Sequence, residues 1–245
     1  MKNMKNTIIR LVKKIVRKIG FDIIRFHPAS TMGVNPYYDM TKFVNSKNPV
    51  LFDVGANQGQ TVNKYIEVFS NSNIHSFEPS PKTFEILKKN TSNMENVSIW
   101  NYGVGSKTDL LLLNENKSSV MSSFLELGEQ GWGEIKKKTM VDIITIDNFL
   151  DQHKISKVDV LKLDVQGFEV EIFKGAKKSM TEGKIGLLYF EITFIKMYVG
   201  LPSFTELYEF CISCGFELVS IYPMHYRQSM AGWTDILFKH KSYGQ

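Results

Sequence analysis

The stretch Leu51-Phe52-Asp53-Val54-Gly55-Ala56-Asn57-Gln58-Gly59-Gln60 decides how this chain is read. Val50, Leu51 and Phe52 form a short apolar run of the kind a buried strand carries, and Asp53 follows it. Gly55 and Gly59 lift the Cβ restriction at two turn positions, and a segment of helical period follows from Thr61 to Phe69. The local order is strand, glycine turn, helix. Many βαβ units need glycines at such a hand-over, so the stretch alone does not define a ligand. A second apolar stretch, Ile74 to Phe77, ends in Glu78. That is about the separation at which nucleotide-binding sheets set a carboxylate against a ribose. Together the two features predict a site for an adenosine-containing ligand.

The rest of the chain extends the pattern. Val97 to Tyr102 alternates as a third strand, broken by Gly103-Val104-Gly105. Val158 to Leu163 and Ile185 to Phe190 read as buried strands, ending in Asp164 and Glu191. Four strands thus run into acids, Asp53, Glu78, Asp164 and Glu191. In an open α/β sheet these strand ends line one crevice. Helices are predicted from Pro81 to about Asn90, from Gly167 to Phe173 with Gly175 as a break or kink, and from Phe204 to Cys214. Asp109 to Leu113 suggests an extra strand, and Val141 to Ile146 is extended, with Asp147 capping a short helix through Leu150. Phe216 to Ile221 and Asp235 to Lys239 read as an antiparallel pair. Ser118 to Trp132 has no clear period and reads as a mobile loop. Lys136-Lys137-Lys138 reads as a solvated loop or turn, and Phe26 to Asn48 as loop with one short helix near Tyr37 to Val44, placed to cover the site.

At 245 residues the chain fits one large α/β domain, taken as 49–245 after an N-terminal helix and loop, 1–48. The net charge of +5 is local: Lys2, Lys5, Arg10, Lys13, Lys14, Arg17, Lys18 and Arg25 face the single acid Asp22. The remaining chain is near neutral, so no nucleic-acid partner is expected. Two cysteines cannot build a disulfide framework. Cys211 and Cys214 lie in a helical segment with no second pair to complete a zinc site, and are expected half-buried in the core. No apolar run is long enough to span a membrane and no cleavable signal is evident, which makes the cytoplasm the expected compartment.

Residues 4–20 read as an amphipathic helix stopped by Gly20: Ile8, Leu11, Val12, Ile15, Val16 and Ile19 make one stripe, with Lys and Arg opposite. The ordinary reading packs this stripe on the domain or on a partner subunit, as in a homo-oligomer. The sharper reading lays it in a lipid interface on the inner face of the membrane, basic side toward anionic head groups.

Asp53-Val54-Gly55-Ala56-Asn57-Gln58-Gly59, Phe77-Glu78-Pro79-Ser80-Pro81 and Leu161-Lys162-Leu163-Asp164-Val165-Gln166-Gly167-Phe168-Glu169, followed by Lys174-Gly175-Ala176, together resemble the FkbM-family methyltransferases over roughly Val50 to Phe238. The ordered set is far more specific than a glycine turn. The resemblance implies a Rossmann-like class I methyltransferase: an α/β fold with a seven-stranded, mostly parallel sheet, an antiparallel C-terminal strand and helices on both faces. It also implies S-adenosylmethionine as cofactor and a hydroxyl of a sugar, glycan or small natural product as acceptor. Glu78 would then accept hydrogen bonds from both ribose hydroxyls. Asp53 and the turn at Gly55, Asn57 and Gly59 would hold the methionine end, with Pro79 beside Glu78, while Asn101, Gly103 and Val104 would border the adenine. The family pattern often has Glu where Gln166 stands here, which removes a charge from that position.

Methyl transfer needs an aligned acceptor and a group to take its proton. Asp164 is the first candidate base, since it ends a strand next to the expected switch point and lies in the family motif. Glu191 and His225 are alternatives, and Asp164 could instead ligate a divalent metal such as Mg²⁺. Ser122, Ser123, Tyr226 and Trp233, in predicted loops, suit a sugar's hydroxyls and apolar faces. Two other functions use similar parts. A nicotinamide-dependent oxidoreductase would share the turn and the acid, but the G-x-N-x-G turn lacks the third glycine of the dinucleotide fingerprint. A non-catalytic binding module on the same fold would not need both Glu78 and Asp164.

Overall fold

The computed structural model describes residues 2–21 and 32–244. They fall into two compact units, Met1–Met32 and Gly33–Gln245. The first carries the helix α1 (Lys2–Lys18). The boundary at Gly33 puts residues 33–48 in the same unit as the sheet rather than with α1. The first part of the aperiodic stretch, residues 26–31, lies outside the described residues.

The second unit opens with α2 (Pro36–Met40), where the Asn35 side chain accepts from Tyr37 N and Tyr38 N and Pro36 fills the first turn. Then come β1 (Val50–Val54), α3 (Gln60–Val68), β2 (Asn73–Phe77), α4 (Pro81–Thr91, capped by Ser80), β3 (Val97–Trp100) and β4 (Gly103–Val104). They are followed by β5 (Asp109–Asn116), a 3₁₀ turn at Ser119–Met121, β6 (Ile135–Ile144), α5 (Ile146–His153) and β7 (Val158–Leu163). The chain ends with α6 (Glu169–Gly175), α7 (Lys177–Thr181), β8 (Ile185–Thr193), α8 (Phe204–Ser213), β9 (Phe216–Ile221), β10 (His225–Arg227) and β11 (Met230–His240).

The main sheet runs β3-β2-β1-β7-β8-β11, parallel throughout until β11, which is antiparallel to β8. β9 pairs with Ile236–His240 and β10 with Met230–Trp233, both along the edge of β11 that β8 leaves open. Eight strands therefore fill seven columns, which reconciles the count with the expected seven-stranded sheet. The chain leaves β1 toward β2 and β3, then returns on the other side through β7 and β8. The switch point thus lies at the carboxyl ends of β1 and β7, where open α/β sheets bind their ligands.

Helices cover both faces because each strand alternates. Phe52, Val54, Leu161, Leu163, Leu188 and Phe190 pack with α5, α6, α7 and α8. Leu51, Val160, Leu187 and Leu237 face the other way, onto Met40, Val62 and Tyr65 of α2 and α3. Cys211 and Cys214 are free thiols buried in the first of these cores, more deeply than the half-burial expected.

Two local expectations are corrected, and the break expected at Gly175 is found. Lys136–Lys138 is not a turn but part of β6, whose antiparallel pairing with β5 satisfies the backbone while the lysine side chains stay in water. β5 and β6 join β4 in a separate three-stranded sheet. The cap of α5 is Thr145, whose side chain accepts from Asn148 N, while Asp147 accepts from Lys178 N and Ser179 N at the start of α7. Gly175 closes α6, and the helical path restarts in α7.

Candidate active site

The register of the sheet places the charged side chains in rows on one face. Asp53 is opposite Ser76 on β2 and Lys162 on β7, and Lys162 is opposite Tyr189 on β8. Two residues further along, past or at the strand ends, lie Glu78, Gly55, Asp164, Glu191 and, opposite Glu191, Asp235. Successive side chains of a strand point to opposite faces, so these residues share the face of Leu51, Val160 and Leu187.

In the first row Lys162 Nζ donates to Asp53 Oδ1 at 2.9 Å and lies 3.6 Å from Asp164 Oδ2. Asp53 is fully buried. Burial opposes the charge on Lys162, but the carboxylates of Asp53 and Asp164 outweigh it and raise the ammonium's pKa. Nothing in its apolar neighbourhood would hold Lys162 without these acids. Asp53 Oδ2, Tyr65 Oη and Ser76 Oγ are buried with no hydrogen-bond partner among the described residues.

The glycine turn packs onto the second row. Gly55 N and Ala56 N both donate to Phe77 O, and Asn57 N and Ser80 N donate to the two oxygens of Glu78, each at 2.9 Å. Gly55 is at φ +78°, and a Cβ there would sit 2.0 Å from Asp164 O. The turn can therefore approach β7 only with glycine at that position. Burial pushes the Glu78 carboxyl up to about 7, against the pull of the two backbone donors. Asn101 Nδ2 donates to Glu78 O and Pro79 O, so its amide braces the Glu78 backbone.

At the other side of the switch point, Asp164 is half exposed and accepts from Gln166 Nε2 at 2.9 Å. Gln166 is at φ +54°, and its Oε1 accepts from Tyr198 Oη while its backbone oxygen accepts from Ser123 Oγ. The amide thus uses its donor on Asp164 and its acceptor on a tyrosine. A carboxylate at this position would lack the donor and set a like charge beside Asp164. Glu191 is pushed up to about 9 by burial first, then by Asp164, Asp235 and Glu169. Tyr189 Oη donates to Asp235 Oδ2 at 2.7 Å, and burial, reinforced by that acid, raises the phenol's pKa.

These rows floor a cavity of about 780 Å³, comparable to known cofactor clefts. Gly55, Asn57, Glu78, Pro79, Gly103 and Val104 line it, as do Asp164, Glu191, His225, Ser122 and Ser123. The expected cofactor, base and acceptor groups therefore largely meet in one place. Five of the expected residues lie outside the lining. Asp53 is beneath the floor with Lys162; Gly59, at φ +93°, opens α3 against Leu87; and Asn101 is engaged as described. Tyr226 is 70% exposed in the β10–β11 hairpin, and Trp233 is packed between His225 at 5.2 Å and Trp132 at 5.6 Å. Tyr226 and Trp233 belong to strands rather than loops.

Lining residues not singled out beforehand include Lys162, Tyr189, Asp235 and Tyr37. Lys162 and Tyr189 did carry a signal, a polar group within an otherwise apolar strand. Tyr37 lies in the short helix expected to cover the site. It reaches the cavity because α2 packs it edge-on to Tyr65 and Tyr189, with Asp39 accepting from Gly33 N, Lys42 Nζ and Tyr222 Oη.

The residues present fit S-adenosylmethionine. Glu78 presents a carboxylate on the cavity wall of the kind a ribose would need, and Gly55 lets the turn close onto the end of β7 beside it. The lining holds Glu67, Glu78, Asp164, Glu191 and Asp235 against Lys64 and Lys162, an acidic balance that suits a cationic sulfonium. Among the described residues no group of three or more His, Cys, Asp or Glu is arranged to hold a metal ion.

A parallel sheet of this order, closed by an antiparallel strand and with its cavity at the switch point, is the fold of a class I S-adenosylmethionine-dependent methyltransferase. The chain belongs to the FkbM methyltransferase family: the model of the methyltransferase FkbM domain matches residues 53–218. The FkbM methyltransferase structure from Methylobacillus flagellatus superposes with a TM-score of 0.57 at 16% identity, over 84% of this chain and 48% of that one, a likeness of fold. Among curated relatives, the 2-O-methyltransferase NoeI of Sinorhizobium fredii is 19% identical over 80% of this chain and 83% of its own. The hexuronic acid methyltransferase AglP of Haloferax volcanii is 26% identical over 55% of this chain and 52% of its own.

Proposed function

We propose that the protein transfers a methyl group from S-adenosylmethionine to a hydroxyl of a sugar-containing acceptor, a glycan or a small glycosylated product. The observation that carries the reading is the convergence of Glu78 and of Asp164, Glu191 and Asp235 on one cavity at the switch point. Two relatives whose names specify 2-O-methylation and a hexuronic acid support the acceptor class.

Glu78, held by Asn57 N and Ser80 N, would take the ribose hydroxyls, and the Gly55–Asn57 turn the methionine end. Bound S-adenosylmethionine supplies an electrophilic methyl on a sulfonium. Asp164, oriented by Gln166 and exposed to the cavity, would accept the acceptor's hydroxyl proton. Glu191 on β8 and His225 on β10, separated by β11, would hydrogen-bond the sugar, Glu191 as a neutral acid that can donate. Ser122 and Ser123 border the same side, but Ser123 Oγ is committed to Gln166 O and Ser122 Oγ to Asn116 N.

Incubation with methyl-labelled S-adenosylmethionine and fractionated glycan, protein and RNA extracts tests the assignment. Label in the glycan fraction, lost with Asp164→Asn, is the expected result. Label confined to protein or RNA sinks the acceptor class, and turnover of NAD in place of methyl transfer would restore the oxidoreductase reading.

A further inference from the structure

The helix α1 has the amphipathic pattern of the other helices but not their burial. In α3, α5 and α8 the apolar stripe is covered, with Val62 and Tyr65, Phe149 and Leu150, and Leu207 and Cys211 buried. No described side chain of α1 is buried. Ile9, Leu11, Val12, Ile15 and Ile19 are 50%, 61%, 42%, 57% and 69% exposed, and Phe21, just past the helix, is 68% exposed. At roughly 100° per residue these helical positions and Val16 fill one side of the wheel, and Lys13, Lys14 and Arg17 lie opposite.

Such a contiguous apolar stripe in water marks a docking surface, and the charge decides what docks. Residues 1–25 carry eight basic residues against Asp22 alone. A second copy docked stripe to stripe would leave this charge on the outside of the pair, uncompensated. An anionic lipid surface would neutralise it, each Lys or Arg near the surface adding attraction that salt screens. The helix is not long and apolar enough to cross a bilayer, which leaves lying in its interface.

We propose that α1 is an interfacial helix that binds anionic membranes, with Ile9, Leu11, Val12, Ile15 and Ile19 at the acyl boundary and Lys13, Lys14 and Arg17 among the head groups. This assignment does not depend on the acceptor or on which residue is the base.

Co-sedimentation of the full-length chain with vesicles tests it. The protein pellets with phosphatidylcholine vesicles containing phosphatidylglycerol, less so as salt rises, and much less with phosphatidylcholine alone. Leu11→Asp with Ile15→Asp lowers the partition constant about tenfold or more, as removal of two buried apolar groups implies. Lys13→Glu with Lys14→Glu lowers binding to the anionic vesicles selectively. Each variant keeps the unfolding transition of the sheet unit and methylates a soluble acceptor at the unmodified rate. Three results overturn the proposal. One is a full-length chain that stays in the supernatant with anionic vesicles. Another is a Leu11→Asp, Ile15→Asp variant that pellets undiminished. The third is a dimer in analytical ultracentrifugation, without vesicles, that this variant abolishes, which would give the stripe to a second copy.

Discussion

The two faces of the central strands are built from alternate residues and do opposite jobs. On β1, Phe52 and Val54 point into the core of α5 to α8 while Asp53 between them points the other way; on β7, Leu161 and Leu163 flank Lys162; on β8, Phe190 lies between Tyr189 and Glu191. One face excludes water and stabilises the sheet. The other holds an ammonium and several carboxylates whose desolvation costs free energy, tolerated because they are paired, hydrogen-bonded or neutral. Chemistry and stability are thus separated by a single residue step along the same strand, and the charged positions cluster at the carboxyl ends, where the backbone is already opening to the cavity.

Neighbouring substitutions on opposite faces can break this comparison. Asp164→Asn should lower turnover about 10²–10⁴-fold, the usual share of a general base, with cofactor affinity little changed in calorimetry. Phe190→Ala should cost about 3–5 kcal/mol in urea unfolding by leaving a cavity beside Phe173 and Phe238. Its neighbour Glu191→Gln should cost under about 1 kcal/mol near neutral pH, since the wild-type acid is already neutral there. Equal losses for the two would mean that the charged face is structural. Lys162→Met should cost about 3–5 kcal/mol by leaving Asp53 buried and unpaired, and Asp53→Leu in the same chain should recover much of it.

Smaller effects sharpen the picture. Glu78→Gln should weaken S-adenosylmethionine binding about tenfold or more by removing a charged acceptor worth roughly 1.5–3 kcal/mol, without a comparable loss of stability. Undiminished affinity would end the ribose assignment. The pH dependence is the subtlest test. Glu191 is pushed up from 4.5 to about 9, so the folded protein holds this proton more tightly than the unfolded chain. Its contribution to stability is complete below about 4.5 and is lost as pH rises toward about 9. Unfolding followed across that window should show a downward slope that Glu191→Gln removes. A cationic ligand favours the ionised acids, so affinity for S-adenosylmethionine should rise with pH over the same window, with proton release in calorimetry.

Much of this was legible one segment at a time. The strand, turn and helix from Val50 to Val68, the acids at or near four strand ends and the helix start at Pro81 are local patterns, and each appears close to where its residues predict. Lys136–Lys138 misled because a lysine run has no period of two, yet a strand exposed on both sides needs none. Tyr226 and Trp233 misled because a loop was assumed where a hairpin pairs His225 with Trp233. Asn101 was read as reaching for a ligand, whereas its amide holds two carbonyls of its own fold.

The sequence by itself determined the class of fold, the glycine turn after the first strand, the acids near four strand ends and the family to which the motifs belong. Periodicity, glycine at positive φ and an acid past a strand act over a few residues, so they can be read without knowing what packs nearby. Only the tertiary structure decided that Lys162 sits between Asp53 and Asp164 and that Tyr37 packs edge-on to Tyr65 and Tyr189 at the cavity. Those facts depend on the register between strands more than a hundred residues apart and on which surfaces exclude water. Both are properties of the assembled chain rather than of any stretch within it.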